Sequence, residues 1–182
     1  MEDQAIHQES KQQFTIRKLK PTDAAAYREI RLRSLREHPE AFASDVEDSE
    51  AYNEDLSRFA DQLQERPGQF LLGAIAQDGL LKGIAGLVQY DKKKLMHKGM
   101  LWGMYVAPEI RGHGMGRRLV DSVIEEARQI ANLEQIYLCV VSDNHVAKGL
   151  YERIGFTTFG REPHAMKLGG QYLDEEHMVL FL

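Results

Sequence analysis

The sequence predicts a mixed α/β domain, in which one twisted, mostly antiparallel sheet of about seven strands is flanked by about four helices. Three strand-like stretches, "QFLLGAIAQ", "GIAGLVQYD" and "KGMLWGMYV", follow one another across short turns, as in an antiparallel meander. A helix, a strand and another helix come next, which places one parallel crossover near the middle of the chain. The chain then closes on two further strands.

The elements are justified in order. Residues 1–12 are polar and acidic, with neither the basic start nor the apolar stretch of an export signal. They read as a frayed tail before a single domain over residues 13–182. "FTIRKL" alternates apolar and polar from Phe14 to Leu19, the pattern of a half-buried strand. Pro21, Thr22 and Asp23 open a helix whose apolar residues are Ala26, Tyr27, Ile30, Leu32 and Leu35, and "EHPE" closes it at Pro39. Residues 41–55 are acidic and weakly patterned, a loop with a helical turn. A second helix is expected from Glu54 to Glu65, stopping at "RPG".

"DGLLKG" and "KKKLMHK" supply the turns of the meander. After it, Leu119, Val120, Val123, Ile124, Ala127 and Ile130 form an apolar stripe at helical spacing, with Arg118, Asp121, Glu125 and Arg128 facing away. "QIYLCVV" is a buried strand, and "NHVAKGLYERIGF" is a helix capped by Asp143 or Asn144 and ended by Gly155. The closing strands are "FTTFGR" and "EHMVLFL", joined across "KLGGQYLDE".

Composition narrows the function. The chain has 182 residues and a formal net charge of −5, which argues against a nucleic-acid partner, because phosphate neutralisation needs clustered Lys and Arg. No apolar run approaches the roughly 20 residues of a membrane span. The single Cys139 excludes an intramolecular disulfide and fits a reducing cytoplasm.

The segment "VAPEIRGHGMGRRLV" concentrates the chemistry. No Lys-Ser or Lys-Thr pair follows its glycines, so it is not a P-loop, and Gly112, Gly114 and Gly116 miss the spacing of a dinucleotide fingerprint. A strand, a glycine-rich turn and a helix N-terminus remain, flanked by Arg111, Arg117 and Arg118. That is an anion site or a plain flexible turn.

"MYVAPEIRGHGMGRRLVDSVIEEA" resembles the acetyl-CoA-binding motif of the GNAT superfamily of N-acetyltransferases, with Arg111, Gly114 and Gly116 at its fixed positions and Gly112 and His113 as its variable pair. "NHVAKGLYERIGF" resembles the second signature of that family through Asn144, Ala147, Leu150, Tyr151, Gly155 and Phe156. The strand and helix order fits the GNAT fold over nearly the whole chain.

The resemblance implies that the anion is the pyrophosphate of coenzyme A, cradled by the amides of Gly112, His113, Gly114, Met115, Gly116 and Arg117. Backbone groups of Met104, Tyr105 and Val106 take the pantetheine arm, and the Val106 amide faces the developing oxyanion. Arg111, Asn144, Ala147 and Lys148 belong to the same cofactor side, although Asn144 is equally read as an N-cap, and Arg117, Arg118 and Lys148 as a solvated face. Tyr151 stands where the family places its general acid; the alternative is that it packs with its hydroxyl on backbone.

The family's common strand glutamate is missing from "MLWGMYV", which leaves the general base unassigned among Glu175, Glu176, His145 and water. Cys139 reads as a small core residue, which favours direct transfer over an acyl-enzyme. The histidines show no metal-ligand spacing, and His164 and His177 read as surface or hairpin residues.

The acceptor pocket is expected between the first two helices and the last hairpin. Asp45, Glu47, Asp48, Glu50, Glu54 and Asp55, with Asp174, Glu175 and Glu176, make acidic walls for a cationic amine or else a solvated surface. Ser44, Glu47, Trp102 and Glu175 are the candidate acceptor-binding residues, with Tyr90 and Trp102 either lining an apolar wall or lying in the core. The expectation is a metal-independent N-acetyltransferase moving acetyl from acetyl-CoA to the primary amine of a small molecule. Two alternatives are a protein or peptide acetyltransferase and a non-catalytic acyl-CoA-binding module. Edge strands such as the terminal hairpin allow a homodimer.

Overall fold

In the computed structural model, residues 14–46 and 55–182 are described. The strands are β1 (Phe14–Lys18), β2 (Gln69–Ala76), β3 (Leu81–Gln89), β4 (Lys98–Val106), β5 (Gln135–Val141), β6 (Thr157–Leu168) and β7 (Gln171–Phe181). They form one sheet in the order β1-β2-β3-β4-β5-β7-β6. Neighbours pair antiparallel except β4 and β5. The chain dictates this. Asp78 and Gly79, the latter at φ +82°, turn β2 straight back into β3, whereas β4 reaches β5 only through a helical crossover, as parallel pairing requires.

Four α-helices lie on the sheet among the described residues: α1 (Ala24–Glu37), α2 (Ser57–Gln62), α3 (Met115–Ala127) and α4 (His145–Ile154). Asp23 starts α1 by accepting from the Lys20 amide at 2.8 Å while Arg17 grips the same carboxylate with two nitrogens. Helix α1 buries Ala24, Tyr27, Ile30, Leu32 and Leu35. Ala26, predicted on that face, is exposed. The helix face is set by Ala24 and Tyr27, three residues apart, and Ala26 is turned about 100° from Tyr27.

Helix α2 is shorter than the expected span from Glu54 to Glu65. Glu54 lies outside the described residues, and the chain tightens into turns at Leu63 and Gln64, which close the helix early. Phe59 packs edge-on against Tyr27 at 5.7 Å, and the Tyr27 hydroxyl donates to Gln62.

Helix α3 buries its predicted stripe from Leu119 to Ala127; Ile130 lies past its end, half-buried. The two sheet faces follow from alternation. A Cβ at Gly83 would meet Leu119, so the odd positions of β3 face α3. Tyr105, paired with Ile84, instead reaches Glu37 at the end of α1.

The terminal strands are longer than predicted. "KLGGQYLDE" is not a connector: β6 and β7 run through it to a turn at Gly169 and Gly170, whose φ values of +55° and +88° suit a tight two-residue hairpin. A bulge between Glu162 and Met166, with His164 at φ +57°, breaks the alternation and hides the strand in the sequence.

On the α1 face the Trp102 indole lies flat on Gly86. A Cβ there would come within 2.5 Å of Trp102 Cε2. Gly86→Ala is therefore expected to lower stability by about 1–3 kcal/mol in urea unfolding. Gly160→Ala, with open space around it, is expected to stay within about 0.5 kcal/mol of the parent chain.

Candidate active site

Strands β4 and β5 pair through only three positions, Lys98↔Gln135, Gly99↔Ile136 and Met100↔Tyr137. Beyond Met100 they part. A one-residue bulge against β3, between Ile84 and Gly86, turns β4 at Gly103, whose φ is +64°. The edge of β4 from Leu101 to Val106 thus carries peptide groups that β5 does not take up.

The glycine segment follows at once. Pro108–Ile110 makes a short 3-10 turn, and Gly112 and Gly114 adopt φ values of +81° and +74°. Both have open space where a side chain would be, and Gly114 caps α3 in the left-handed conformation. The first helical bond to it is Arg118 N–H to Gly114 at 3.1 Å. The amides of Gly112, His113, Gly114, Met115, Gly116 and Arg117 consequently donate to no backbone carbonyl among the described residues. Six consecutive N–H groups around a helix start are an arrangement suited to an anion.

Close packing brings the predicted parts together. A Cβ on Gly116 would lie 3.3 Å from both Met104 on β4 and Leu150 on α4. Tyr151 is the next residue, buried to 6% exposure and edge-on to Phe156 at 5.8 Å. Its hydroxyl has no hydrogen bond among the described residues, and burial pushes the phenol well above its ordinary pKa. It is therefore a protonated donor at neutral pH. Two polar atoms near the gap are buried without a partner, Trp102 Nε1 on β4 and Ser142 Oγ just past β5.

Other predicted side chains have work inside the protein. Arg111 Nε donates to the Val106 carbonyl at 2.8 Å and its guanidinium reaches His38 and Glu37. It braces the loop against α1. Asn144 is the N-cap of α4 and accepts from the Ala147 amide at 3.1 Å. Lys148 pairs with Glu176 at 2.8 Å, and Arg117 with Asp121 at 3.3 Å.

Beneath the loop, Glu109 binds both Arg33 and Lys82, which hold its carboxyl far below the usual range. The Tyr105 hydroxyl donates to Glu37 at 2.6 Å; that bond and Arg33 lower the Glu37 pKa.

The acceptor candidates separate. Glu47 lies outside the described residues, as do Asp48, Glu50 and Glu54. Ser44 is exposed after α1. Asp174 is used by Arg161 and the His164 amide, and Glu176 by Lys148 and Thr158. Glu175 keeps no hydrogen bond or ion pair among the described residues, and burial raises its pKa. It faces away from α3 and α4, with Trp102, the stacked Tyr90 and Tyr137, and Cys139. Burial pushes the Cys139 thiol up to about 11, so it is a neutral thiol and no ready nucleophile. His145 is exposed on α4, on the other face of the sheet.

One group on this face escaped sequence reasoning. His177, read there as a hairpin residue, stands between Cys139 at 3.4 Å and Glu162 at 3.2 Å. Only the β5–β7 and β6–β7 registers bring these three together.

The acetyltransferase (GNAT) family model matches residues 28–156, and the chain belongs to this family. The chain is 31% identical over 99 residues to spermidine N(1)-acetyltransferase of Vibrio cholerae, covering 54% of this chain and 57% of that protein. It is 34% identical over 79 residues to the L-methionine sulfoximine/L-methionine sulfone acetyltransferase of Pseudomonas paraeruginosa, covering 43% and 45%. The aligned region thus spans about half the length of these curated relatives. YncA of Salmonella typhimurium, solved with its cofactor acetyl-CoA, superposes with a TM-score of 0.77 at 26% identity over 93% of this chain and 94% of its own. No described helix is long and apolar enough to cross a membrane, and no described group of His, Cys, Asp and Glu could hold a metal ion.

Two expectations follow. Gly114→Ala forces a left-handed alanine and is expected to cost about 1–2 kcal/mol in thermal or urea unfolding. Glu37 has a lowered folded-state pKa, so its contribution is complete above the ordinary glutamate value of 4.5 and is lost as pH falls through the lowered one. The melting temperature of Tyr105→Phe is expected to lie below the parent's at pH 7 and to converge on it as the pH falls through the lowered Glu37 value.

Proposed function

We propose that the chain binds acetyl-CoA along β4 and the glycine loop and acetylates a small cationic primary amine. The run of six unengaged amides from Gly112 to Arg117, beside the unpaired edge of β4, carries this reading. The residues present fit the cofactor. The amides suit a pyrophosphate, the β4 edge suits the pantetheine amides as an added strand, and the orphaned Ser142 Oγ is one more polar group at the gap. When bound, the cofactor supplies an activated acetyl group as a thioester.

The protein's own residues do the rest. Direct transfer joins the amine nitrogen to the acetyl carbon as the carbon–sulfur bond breaks, and the departing sulfur needs a proton. Tyr151 supplies it, since burial keeps its phenol protonated and its hydroxyl is uncommitted. Glu175, without a partner on the acceptor face, attracts the ammonium of the acceptor, and Trp102, Tyr90 and Tyr137 offer an apolar wall for its carbon chain. The amine acetyltransferases among the relatives support this acceptor class.

Acetyl-CoA and free CoA are expected to stabilise the purified chain by about 2.7 kcal/mol at a hundredfold excess over Kd, while ATP and NAD have no effect. A thiol-release screen over spermidine, methionine sulfone and a basic peptide then identifies the acceptor class. Tyr151→Phe is expected to reduce kcat by about 100-fold with the acetyl-CoA KM little changed. No stabilisation by either CoA species contradicts the proposal.

A further inference from the structure

We propose that His177, oriented by Glu162, is the residue that takes the proton from the acceptor amine; this inference rests on the acetyltransferase reading above. Strand β4 carries no carboxylate between Lys98 and Val106, and an amine with a pKa near 10 is almost wholly protonated at neutral pH, so a group that accepts its proton is required.

Position comes first. Strand β4 leaves β5 after Met100↔Tyr137. On the face away from α3 and α4, Cys139↔His177 is the next cross-strand pair. His177 therefore stands beside the opening of the gap, on the side from which an acceptor approaches a thioester bound along β4. Glu175, paired with Val141, lies farther out.

Orientation comes second. His177 Nε2 is 3.2 Å from Glu162, and a carboxylate can only accept, so Nε2 carries the hydrogen. In the neutral imidazole the lone pair is then on Nδ1, 3.4 Å from Cys139 Sγ. A thiol is a weak donor, and an amine or one intervening water displaces it at little cost. The Phe159 ring, 5.9 Å from the imidazole, limits its swing. The titratable groups facing His177 are Cys139 and Tyr137 from β5, Glu162 from β6 and Glu175 on its own strand. Glu175 is not held by any other side chain, which suits attraction of a cation better than directed proton transfer.

The step balances. The ammonium gives one proton to Nδ1, and the freed lone pair forms the bond to the acetyl carbon. The carbon–sulfur bond breaks, the thiolate takes the Tyr151 proton, and the nitrogen of the new amide gives its second proton to water. The imidazolium later loses its proton to water, and solvent reprotonates the tyrosine.

The test uses the full chain and the amine it turns over fastest, with kcat and kcat/KM followed across pH for His177→Gln, Glu162→Gln and Glu175→Gln. His177→Gln is expected to lower kcat about 100-fold or more, to leave the acetyl-CoA KM within about twofold, and to flatten the acid limb of kcat/KM. Free imidazole is expected to restore part of the rate to His177→Ala. Long-range nitrogen NMR of the parent chain should find the His177 hydrogen on Nε2, and Glu162→Gln should mix the tautomers and slow turnover about tenfold.

Thermal stabilisation by acetyl-CoA, measured on every variant, separates the two readings. Its absence in the parent chain, or silence towards every amine, removes the acetyltransferase reading and this inference with it. Intact binding and turnover with a His177→Gln rate within about threefold of the parent overturns the His177 assignment alone. So does loss of the acid limb in Glu175→Gln instead.

Discussion

The parting of β4 from β5 is the constraint on which the rest of the structure depends. Three ladder pairs hold the strands together, after which neither supplies the other's hydrogen bonds. Unpaired peptide groups inside a sheet are costly unless something completes them. The parallel crossover makes the opening possible, since β4 and β5 are joined through α3 and not by a tight turn, while β3 and β7 secure their outer edges. The glycine segment lies directly above it, because α3 must begin where β4 ends. One break in the sheet therefore supplies the slot, the run of open amides above it and an opening between the two faces.

Under the proposed function, the two faces divide the chemistry. The α3 and α4 side brings Gly116, Met104 and Leu150 into contact, so the cradle, the strand and the helix bearing Tyr151 are fixed relative to one another. The α1 side carries the aromatic wall, Glu175 and the His177–Glu162 pair. The arginine network ties the sides together at the loop, where Arg111 joins the Val106 carbonyl to His38 and Arg33 joins α1 to Glu109. These pairs are half-exposed, and their role is to fix geometry more than to add stability.

Much of this was legible in the sequence where a local pattern states it. The glycine run, the stripe from Leu119 to Ala127 and the Asn144 cap are local devices, and each is found where its residues predict. Features that depend on register were not legible. Nothing in "QIYLCVV" or "EHMVLFL" says that Cys139 faces His177, or that Glu175 and Glu176 point to opposite faces, one uncommitted and the other held by Lys148. The bulge at His164 disrupts the alternation that would have announced the long hairpin. Trp102 was ambiguous for a similar reason, because its place over Gly86 depends on the bulge in β4.

The central claim is that the loop amides and the β4 edge are open donors awaiting one ligand. Backbone amide hydrogen exchange, followed residue by residue with and without coenzyme A, tests it most directly. Slowed exchange from Gly112 to Arg117 and at those amides of Leu101 to Val106 that do not donate to β3, with β2 and β6 unchanged, is the expected result. Exchange at those amides that is already slow in the free protein, or unaltered by the ligand, contradicts the account.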